Sequence, residues 1–337
     1  MEHHHVSEWL INSWTFILTL ILTVYVALDG FDLGIGLLSL LERDKSRQVI
    51  MMESLSGVWD ANETWLVLMG GTLFGAFPLA YSHVLPSLYI PVLLMLFGLV
   101  FRGVAFEFRL YARRQEGWIL AFGIGSLVAT LAQGLALGAV LGGLPLWDTT
   151  SKVNLFSWAS PFSLLTAISL ATAYTLLGSS YLLCKVEGEF LSSAYHWAWR
   201  ATMLLVFLAP AFLLYSAKVT PYVAERWSDE PLGFGVLALC AIVSLVRLIW
   251  SLKRQEDSKP FFWCLVGLVM AVVGLAASHY PYLVPGTMTL HAAASSTQTL
   301  EFMLIAVGCL LPLMLGYNAY QYYVFRGRTS SEHSSGH

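Results

Sequence analysis

The sequence predicts an all-α protein that crosses a membrane nine times. Of its 337 residues, 57% are hydrophobic and only 12% are charged, whereas soluble globular proteins carry about 25% charged residues. The apolar residues are gathered into nine runs, each close to the roughly 20 residues that a transmembrane helix needs. The loops between these runs alternate between many and few basic residues, as the loops of multi-pass membrane proteins do.

This composition excludes several classes of protein. A chain with so little charge cannot cover a water-facing surface, which excludes a soluble enzyme, a nucleic-acid-binding protein and a disordered scaffold. The formal net charge of -3 gives no reason to expect a polyanionic partner. The four cysteines lie in apolar stretches without a C-x-x-C pair, so we expect them to be small buried hydrophobic side chains.

The nine predicted spans use most of the chain. We place them near residues 9–40, 54–76, 84–108, 118–143, 160–184, 199–219, 232–252, 260–279 and 300–325. The remainder is enough only for short loops, so residues 1–325 are expected to form one membrane domain. The Ser-rich, polar residues 326–337 are expected to be a disordered cytoplasmic tail.

The basic residues predict the orientation of the chain. Every second connection, together with the C-terminal segment, carries 13 lysines and arginines, whereas the other connections carry only 3. Cytoplasmic loops carry the excess of basic residues. The N-terminus is therefore expected outside the membrane and the C-terminus in the cytoplasm.

The first span contains two acidic residues three positions apart, Asp29 and Asp32. Residues at this spacing share one face of a helix, and an unpaired charge facing lipid is costly. Gly30 and Gly34 form a small-xxx-small pair on which a neighbouring helix can approach closely. The alternative is that the two aspartates lie at the cytoplasmic end of the helix, where water reaches them, because Arg43 follows closely in the sequence.

The second span contains the densest set of polar residues, with Asp60 and Glu63 again three apart and Asn62 and Thr64 beside them. Both acids lie roughly two to three turns from the basic loop, which is too deep for a solvated helix end. Neighbouring carboxylates in a medium of low dielectric repel each other, which favours a proton on one of them. The pattern therefore favours a proton relay or a channel lining. The alternative is a salt bridge that only holds two helices together.

The third span supplies a counter-charge. Arg102 is the best available partner in the sequence for the four acids of the first two spans. Glu107 is expected to reach the membrane surface or to pair with Arg109.

The histidines do not indicate a haem site on this chain. His83, His279 and His291 fall near predicted outer loops and His196 falls in an inner loop, whereas a haem held by two histidines needs them inside a helical bundle. Metal-protease, P-loop and nucleophile-elbow motifs are also missing from the sequence. No metal site is predicted. These residues leave two classes of function open: a proton-coupled secondary transporter, or a proton-handling subunit of a respiratory complex.

Three stretches, taken together, resemble subunit II of the cytochrome bd ubiquinol oxidases. They are Ala-Leu-Asp-Gly-Phe-Asp-Leu-Gly at 27–34, Trp-Asp-Ala-Asn-Glu-Thr-Trp-Leu at 59–66 and Phe-Arg-Gly-Val-Ala-Phe-Glu-Phe-Arg at 101–109. The residues of these stretches and the short length of the chain resemble the cyanide-insensitive branch of the family. The likeness is strongest over about the first 115 residues. Beyond them it rests on the number of spans and on residues 280–285.

The resemblance implies a fold of two four-helix bundles plus one peripheral helix, paired with a haem-bearing subunit I. It implies that two b-type haems, one d-type haem and the quinol-oxidising loop belong to subunit I. Some family members also hold a structural quinone in subunit II, and small single-helix subunits can accompany the pair. Ubiquinol and oxygen would be the substrates of the complex in a bacterial inner membrane.

The resemblance also implies roles for residues of this chain. Asp60 matches an acidic residue of the family in a water-filled proton path toward haem d, and Trp59 flanks it. Glu63 is expected on the same path. The other residues of the three motifs that match the surrounding cluster are Asp29, Asp32, Asn62, Trp65, Arg102 and Glu107.

Two positions depart from the family's pattern. Ala61 stands where the family often has glycine, and His291 stands where an acidic or aromatic residue is expected. The hypothesis from the sequence is therefore subunit II of a bd-type quinol:oxygen oxidoreductase of aerobic respiration. In this hypothesis the chain stabilises subunit I and conducts cytoplasmic protons to the oxygen-reducing site. The alternative is a proton-coupled transporter that uses the same acids.

Overall fold

The computed structural model of the protein describes residues 6–144 and 156–328. These residues are almost entirely helical, which agrees with the prediction of an all-α membrane protein. The helices are α1 (Glu8–Leu41), α2 (Lys45–Glu53), α3 (Trp59–Ala76), α4 (Pro78–Ser87), α5 (Tyr89–Arg109), α6 (Glu116–Leu141), α7 (Pro161–Lys185), α8 (Gly188–Val219), α9 (Pro221–Asp229), α10 (Pro231–Lys253), α11 (Lys259–His279), α12 (Leu290–Ala293) and α13 (Thr297–Val324). The strands β1 (Tyr282–Val284) and β2 (Met288–Thr289) form an antiparallel pair.

Eight helices of the described residues are long and apolar enough to cross a membrane. They correspond to eight of the nine predicted spans and are α1, α5, α6, α7, α8, α10, α11 and α13. The ninth predicted span, 54–76, is α3, which begins only at Trp59 and has 18 residues. Its first turns carry the polar residues of the candidate site, and these lower its hydropathy below that of the other eight.

Helix α1 is the centre of the packing. It contacts α3, α6, α7 and α11, and the second half of the helix is buried almost without interruption from Asp29 to Ser39. A helix that is apolar and buried on all sides is typical of a bundle centre. The polar residues of α1 are therefore held inside protein rather than against lipid.

Small residues let α1 and α7 approach closely, as the Gly30 and Gly34 pair predicts. A Cβ atom on Gly34 would lie 1.8 Å from the carbonyl oxygen of Tyr174, and Gly178 of α7 faces the same contact. Gly30 lies against the ring of Tyr174 and the side chain of Leu177. Without side chains at these positions, the two backbones pack directly against each other.

The end of α13 fixes the turn that precedes α3. The ring of Phe325 covers Gly57, whose positive φ of 90° is a conformation that favours glycine. Lys185 at the end of α7 donates hydrogen bonds to the carbonyl oxygens of Phe325 and, at 3.1 Å, of Gly327. Helices α7 and α13 thus hold the start of α3 in place.

The predicted tail, 326–337, lies outside the described residues beyond position 328. At that position Arg328 forms ion pairs with Glu187, at 3.1 Å, and with Asp257, at 2.7 Å. These contacts tie the end of the described chain to the α7–α8 and α10–α11 connections.

At the opposite end of the molecule, the short strands and α12 connect α11 to α13. The amide of Leu290 donates to the carbonyl oxygen of Pro281 at 2.9 Å, and the amide of Ser295 donates to that of Ala76, also at 2.9 Å. His291, one of the two departures from the family's pattern, is exposed in α12.

We predict that Gly34→Ala destabilises the protein. The added methyl group would overlap the backbone of α7, and overpacking of this kind costs about 1–3 kcal/mol. The measurement is the unfolding midpoint of the detergent-solubilised protein. Gly235→Ala in α10 is the matched control, because a Cβ atom there has no neighbour within 4 Å. Equal midpoints for the two variants would contradict close packing between α1 and α7.

Candidate functional site: a buried acidic cluster around one arginine

Three helices bring the predicted acidic and basic residues together inside the protein. The middle of α1 supplies Asp29 and Asp32, the first turns of α3 supply Glu63, and the second half of α5 supplies Arg102. Asp29, Asp32 and Arg102 are 0%, 1% and 2% exposed. The two aspartates therefore do not lie at a solvated helix end, which was the alternative for the first span.

Arg102 is the counter-charge that the sequence predicts. Its Nη2 lies 2.6 Å from Oδ1 of Asp29 and also forms an ion pair with Glu63. One guanidinium thus connects α1, α3 and α5. Charge-assisted hydrogen bonds of this type are stronger than neutral ones.

Asp32 is held by an amide rather than by the arginine. Nδ2 of Asn62 donates to Oδ2 of Asp32 at 2.8 Å, and Oδ1 of Asn62 accepts a hydrogen bond from the hydroxyl of Tyr322 at 3.0 Å. The sequence analysis missed Tyr322 as a site residue, because an aromatic residue near a helix end is normally an interfacial anchor. Its contact with Asn62 depends on how α13 packs against α3.

A second group of polar side chains extends the cluster into α6 and α7. Nε2 of Gln133 donates to the hydroxyl of Tyr25 at 2.6 Å, and the hydroxyl of Tyr174 donates to Oε1 of Gln133 at 3.0 Å. All three side chains are buried. The sequence analysis missed this group too, although two signals were present. Tyr25 lies one turn before Asp29 on the same face of α1, and Gln133 is a lone amide in an apolar run.

The remaining tryptophan of the second motif connects α3 to α13. Trp65 is fully buried, and its Nε1 donates to Oδ1 of Asn318 at 2.8 Å. A buried indole N–H normally finds such a partner. Trp65 therefore acts in packing α13 onto the site rather than in the acidic cluster itself.

Asp60 lies nearer the start of its helix than the predicted span 54–76 suggests. It occupies the first turn of α3 and is exposed, because residues 54–58 form turns before the helix begins. Its depth in the membrane stays a prediction. Trp59 beside it packs its ring 5.2 Å from that of Phe106 on α5.

Only one acid of the second span joins the buried cluster. Glu63 pairs with Arg102 and keeps 27% of its side chain exposed, while Asp60 forms no ion pair among the described residues. Glu107 is exposed, and neither it nor the buried Arg109 forms an ion pair with a described residue. The predicted pairing of Glu107 with Arg109 is therefore absent from the described residues, and its exposure fits the alternative.

The cluster holds more negative than positive groups. Three carboxyl groups, those of Asp29, Asp32 and Glu63, surround the single guanidinium of Arg102. Oδ2 of Asp29 and Oδ1 of Asp32 are buried without a hydrogen-bond partner among the described residues. Each carboxylate is hydrogen-bonded through its other oxygen, but a buried oxygen without a partner still has a desolvation cost, which a proton on the carboxyl group lowers. The arrangement is chemically suited to take up and release protons.

The most buried of the described histidines has no second histidine beside it. His279 is the most buried of them, but its Nδ1 contacts the carbonyl oxygen of Leu275 and its ring stands edge-on to Tyr222. Neither neighbour supplies the second histidine that a two-histidine haem site needs. Among the described residues, no three histidine, cysteine or acidic side chains are placed to share a metal ion.

Comparison with known proteins places the chain among respiratory oxidases. Residues 10–325 match the family described as cytochrome bd terminal oxidase subunit II. The chain is 28% identical to the cytochrome bd-I ubiquinol oxidase subunit 2 of Escherichia coli K12, over 95% of each chain. It is 27% identical to the cytochrome bd ubiquinol oxidase subunit 2 of Bacillus subtilis, over 95% of this chain and 96% of the relative.

The fold matches as well. A chain of the bd oxidase from Geobacillus thermodenitrificans superposes with a TM-score of 0.80 and 20% sequence identity. The match covers 94% of this chain and 98% of the other. It shows that the two chains share the same arrangement of helices.

We predict that Arg102→Gln strongly destabilises the protein. The substitution leaves Asp29 and Glu63 without their shared cation, and breaking a buried ion pair costs about 3–5 kcal/mol. The unfolding midpoint in detergent measures the effect, and Arg43→Gln, at an exposed arginine, is the control.

A double variant separates the pair from other effects of Arg102. Adding Asp29→Asn to Arg102→Gln removes one of the two carboxylates that have lost their cation. The unfolding midpoint of the double variant should therefore lie above that of Arg102→Gln alone. If the two substitutions are simply additive, Arg102 and Asp29 are not coupled.

Proposed function

Because the chain belongs to the family of cytochrome bd terminal oxidase subunit II, and so is part of an oxidoreductase complex, we propose two roles for it. It stabilises a haem-bearing subunit I, and it conducts protons from the cytoplasm toward the oxygen-reducing site of that partner. The observation that carries the second role is an exposed acid, Asp60, which lies one turn before Glu63, the acid that α3 contributes to the cluster.

The proton path in this proposal begins at Asp60 and continues through Glu63. Asp60 is exposed, Glu63 is partly exposed, and Asp29 and Asp32 are buried, so burial increases step by step along the series. Carboxyl groups exchange protons readily, whereas Arg102 keeps its charge and holds Glu63 and Asp29 near each other. Asn62 orients Asp32, and Trp59 packs against α5 beside the entrance.

The finer architecture is also a proposal. We count α3 as a ninth membrane span, since it lies beside α1 and carries the site. One bundle then consists of α1, α3, α5 and α6, the second of α7, α8, α10 and α11, with α13 peripheral. The contacts of α1 with α3 and α6, of α5 with α6, of α7 with α8 and of α10 with α11 support this grouping, and similarly extensive contacts of α7 with α1 and α6 join the two bundles.

The orientation follows from the basic residues. With the N-terminus outside and the C-terminus in the cytoplasm of a bacterial inner membrane, Asp60 lies near the cytoplasmic end of α3. The excess of lysines and arginines on that side supports this orientation. Protons for oxygen reduction would then enter from the cytoplasm.

The partner and cofactors are inferred from the family. The haems b and d of the complex, which would carry the electrons and hold the oxygen, are assigned to subunit I, as the family resemblance implies. An acid exposed on a helix that lies in the membrane is costly against lipid. We therefore place the Asp60 face of α3 against subunit I or against water between the subunits.

The substrates in this proposal are ubiquinol and oxygen, acted on by the complex rather than by this chain alone. A structural quinone and small single-helix subunits are further components that the family implies. Membership of the family favours this function over the proton-coupled transporter. A transporter would move its substrate in liposomes without any haem-containing partner.

We predict that Asp60→Asn slows oxygen consumption by the purified complex at least about tenfold. General acid–base groups commonly contribute factors of about 100 or more, and asparagine cannot carry a proton. Haem content should stay normal, because Asp60 makes no ion pair within the described fold. An oxygen electrode measures the rate of oxygen consumption, and a reduced-minus-oxidised spectrum of the same sample measures the haem content.

Glu189→Gln is the control, since this acid is also exposed and its side chain is 95% accessible. It should leave both values unchanged. If Asp60→Asn turns over at the normal rate, Asp60 has no part in the mechanism. If the haem content falls as well, the residue acts in assembly.

A further inference from the structure

Two arginines at the C-terminal end of α10, Arg247 within the helix and Arg254 directly after it, lie over the ring of the same tryptophan. The guanidinium carbon of Arg247 lies 5.1 Å from the centre of the Trp250 ring, and that of Arg254 lies 3.7 Å from it. Trp263 of α11 lies 5.3 Å from Arg247. We call Arg247, Trp250 and Arg254, together with Lys253 and Trp263, the α10 basic patch.

The position of Arg247 in the membrane requires an explanation. It lies six residues before the end of α10, or about 9 Å along the helix axis, in one of the spans apolar enough to cross a membrane. Its side chain is exposed, and so are Ile242, Val243 and Val246 on the neighbouring turns. A charged side chain on such a lipid-facing surface is costly unless it meets an anion or reaches the interface.

The described part of the chain places no carboxylate in contact with this patch. Among the described residues, none of Arg247, Lys253 and Arg254 has a carboxylate within ion-pair distance. The tryptophan rings contact the faces of the guanidinium groups, and such contacts leave the N–H donors at the edges available. Two guanidinium groups with unused donors therefore share Trp250, and Lys253 precedes Arg254 in the chain.

We propose that the α10 basic patch binds the phosphate group of an anionic phospholipid in the cytoplasmic leaflet. Guanidinium groups bind phosphate oxygens through two parallel hydrogen bonds. Tryptophans are typical of the level at which lipid headgroups lie. The exposed aliphatic residues above Arg247 would contact the acyl chains. This proposal depends on the membrane orientation given above but not on the proton path.

The apolar surroundings favour a lipid over free phosphate. A free ion would leave Ile242, Val243 and Val246 uncovered, whereas the acyl chains of a lipid cover them. An acidic segment of another subunit would also neutralise the patch, and the experiment separates this case.

The experiment measures lipid bound to the purified complex by native mass spectrometry. The complex is delipidated in detergent and titrated with phosphatidylglycerol or, in parallel, with phosphatidylcholine of the same acyl chains. In this proposal each guanidinium of the patch donates charge-assisted hydrogen bonds directly to the phosphate, and loss of one group should cost about fivefold in affinity. Arg247→Gln should therefore weaken binding of phosphatidylglycerol about fivefold, and Arg247→Gln with Arg254→Gln about 25-fold.

Controls keep the result specific. Arg113→Gln with Arg114→Gln removes the same charge from an exposed segment without tryptophan contacts and should leave binding unchanged. Arg247→Lys keeps the charge, so binding should stay within about twofold to threefold of the original value, which excludes misfolding as the cause. Binding of phosphatidylcholine should be the same in all variants.

Three results would overturn the proposal. The first is equal affinity for phosphatidylglycerol in the double variant and the unchanged complex. The second is displacement of the lipid by millimolar inorganic phosphate, which would identify a site for free phosphate. The third is loss of a partner subunit from the double variant, which would show that the patch contacts protein.

Discussion

The ion pairs of Arg102 are the interaction on which the centre of this protein depends. A single guanidinium on α5 contacts Asp29 on α1 and Glu63 on α3, so the charges themselves hold three helices in one relative position. In a protein interior an unpaired charge is far more costly than in water. The ion pairs that offset the cost of burying these charges therefore also fix the geometry of the cluster.

Close backbone contact makes this arrangement possible. Helix α1 can lie at the centre because Gly34 and Gly178 let it touch α7 directly. The buried half of α1 then faces protein on every side, and Asp29 and Asp32 are kept away from lipid. Helix α13 completes the enclosure, since Asn318 and Tyr322 contact α3 at Trp65 and Asn62. The acidic cluster is thus a product of helix packing as much as of its own charges.

The arginines of this chain illustrate two solutions to the same problem. Arg102 is inside the protein and is neutralised by acids from neighbouring helices. Arg247 lies on the outside of the protein with tryptophan rings against it. None of the described acids lies within ion-pair distance of it. Both lie in apolar helices, and the sequence alone does not distinguish them, because their flanking residues are equally apolar. Which side of the helix faces protein decides the chemistry of each.

The sequence by itself determined the class of the protein, the approximate position of eight spans, the family and most members of the site. These follow from composition, from the length of the apolar runs and from motifs that are local in the chain. Only the tertiary structure decided that Asp60 is exposed while Asp29 and Asp32 are buried. It also added Tyr25, Gln133, Tyr174 and Tyr322 to the network. The reason is physical: burial and hydrogen bonding between helices depend on contacts between residues as far apart as Asn62 and Tyr322, and no local pattern records which helices will meet.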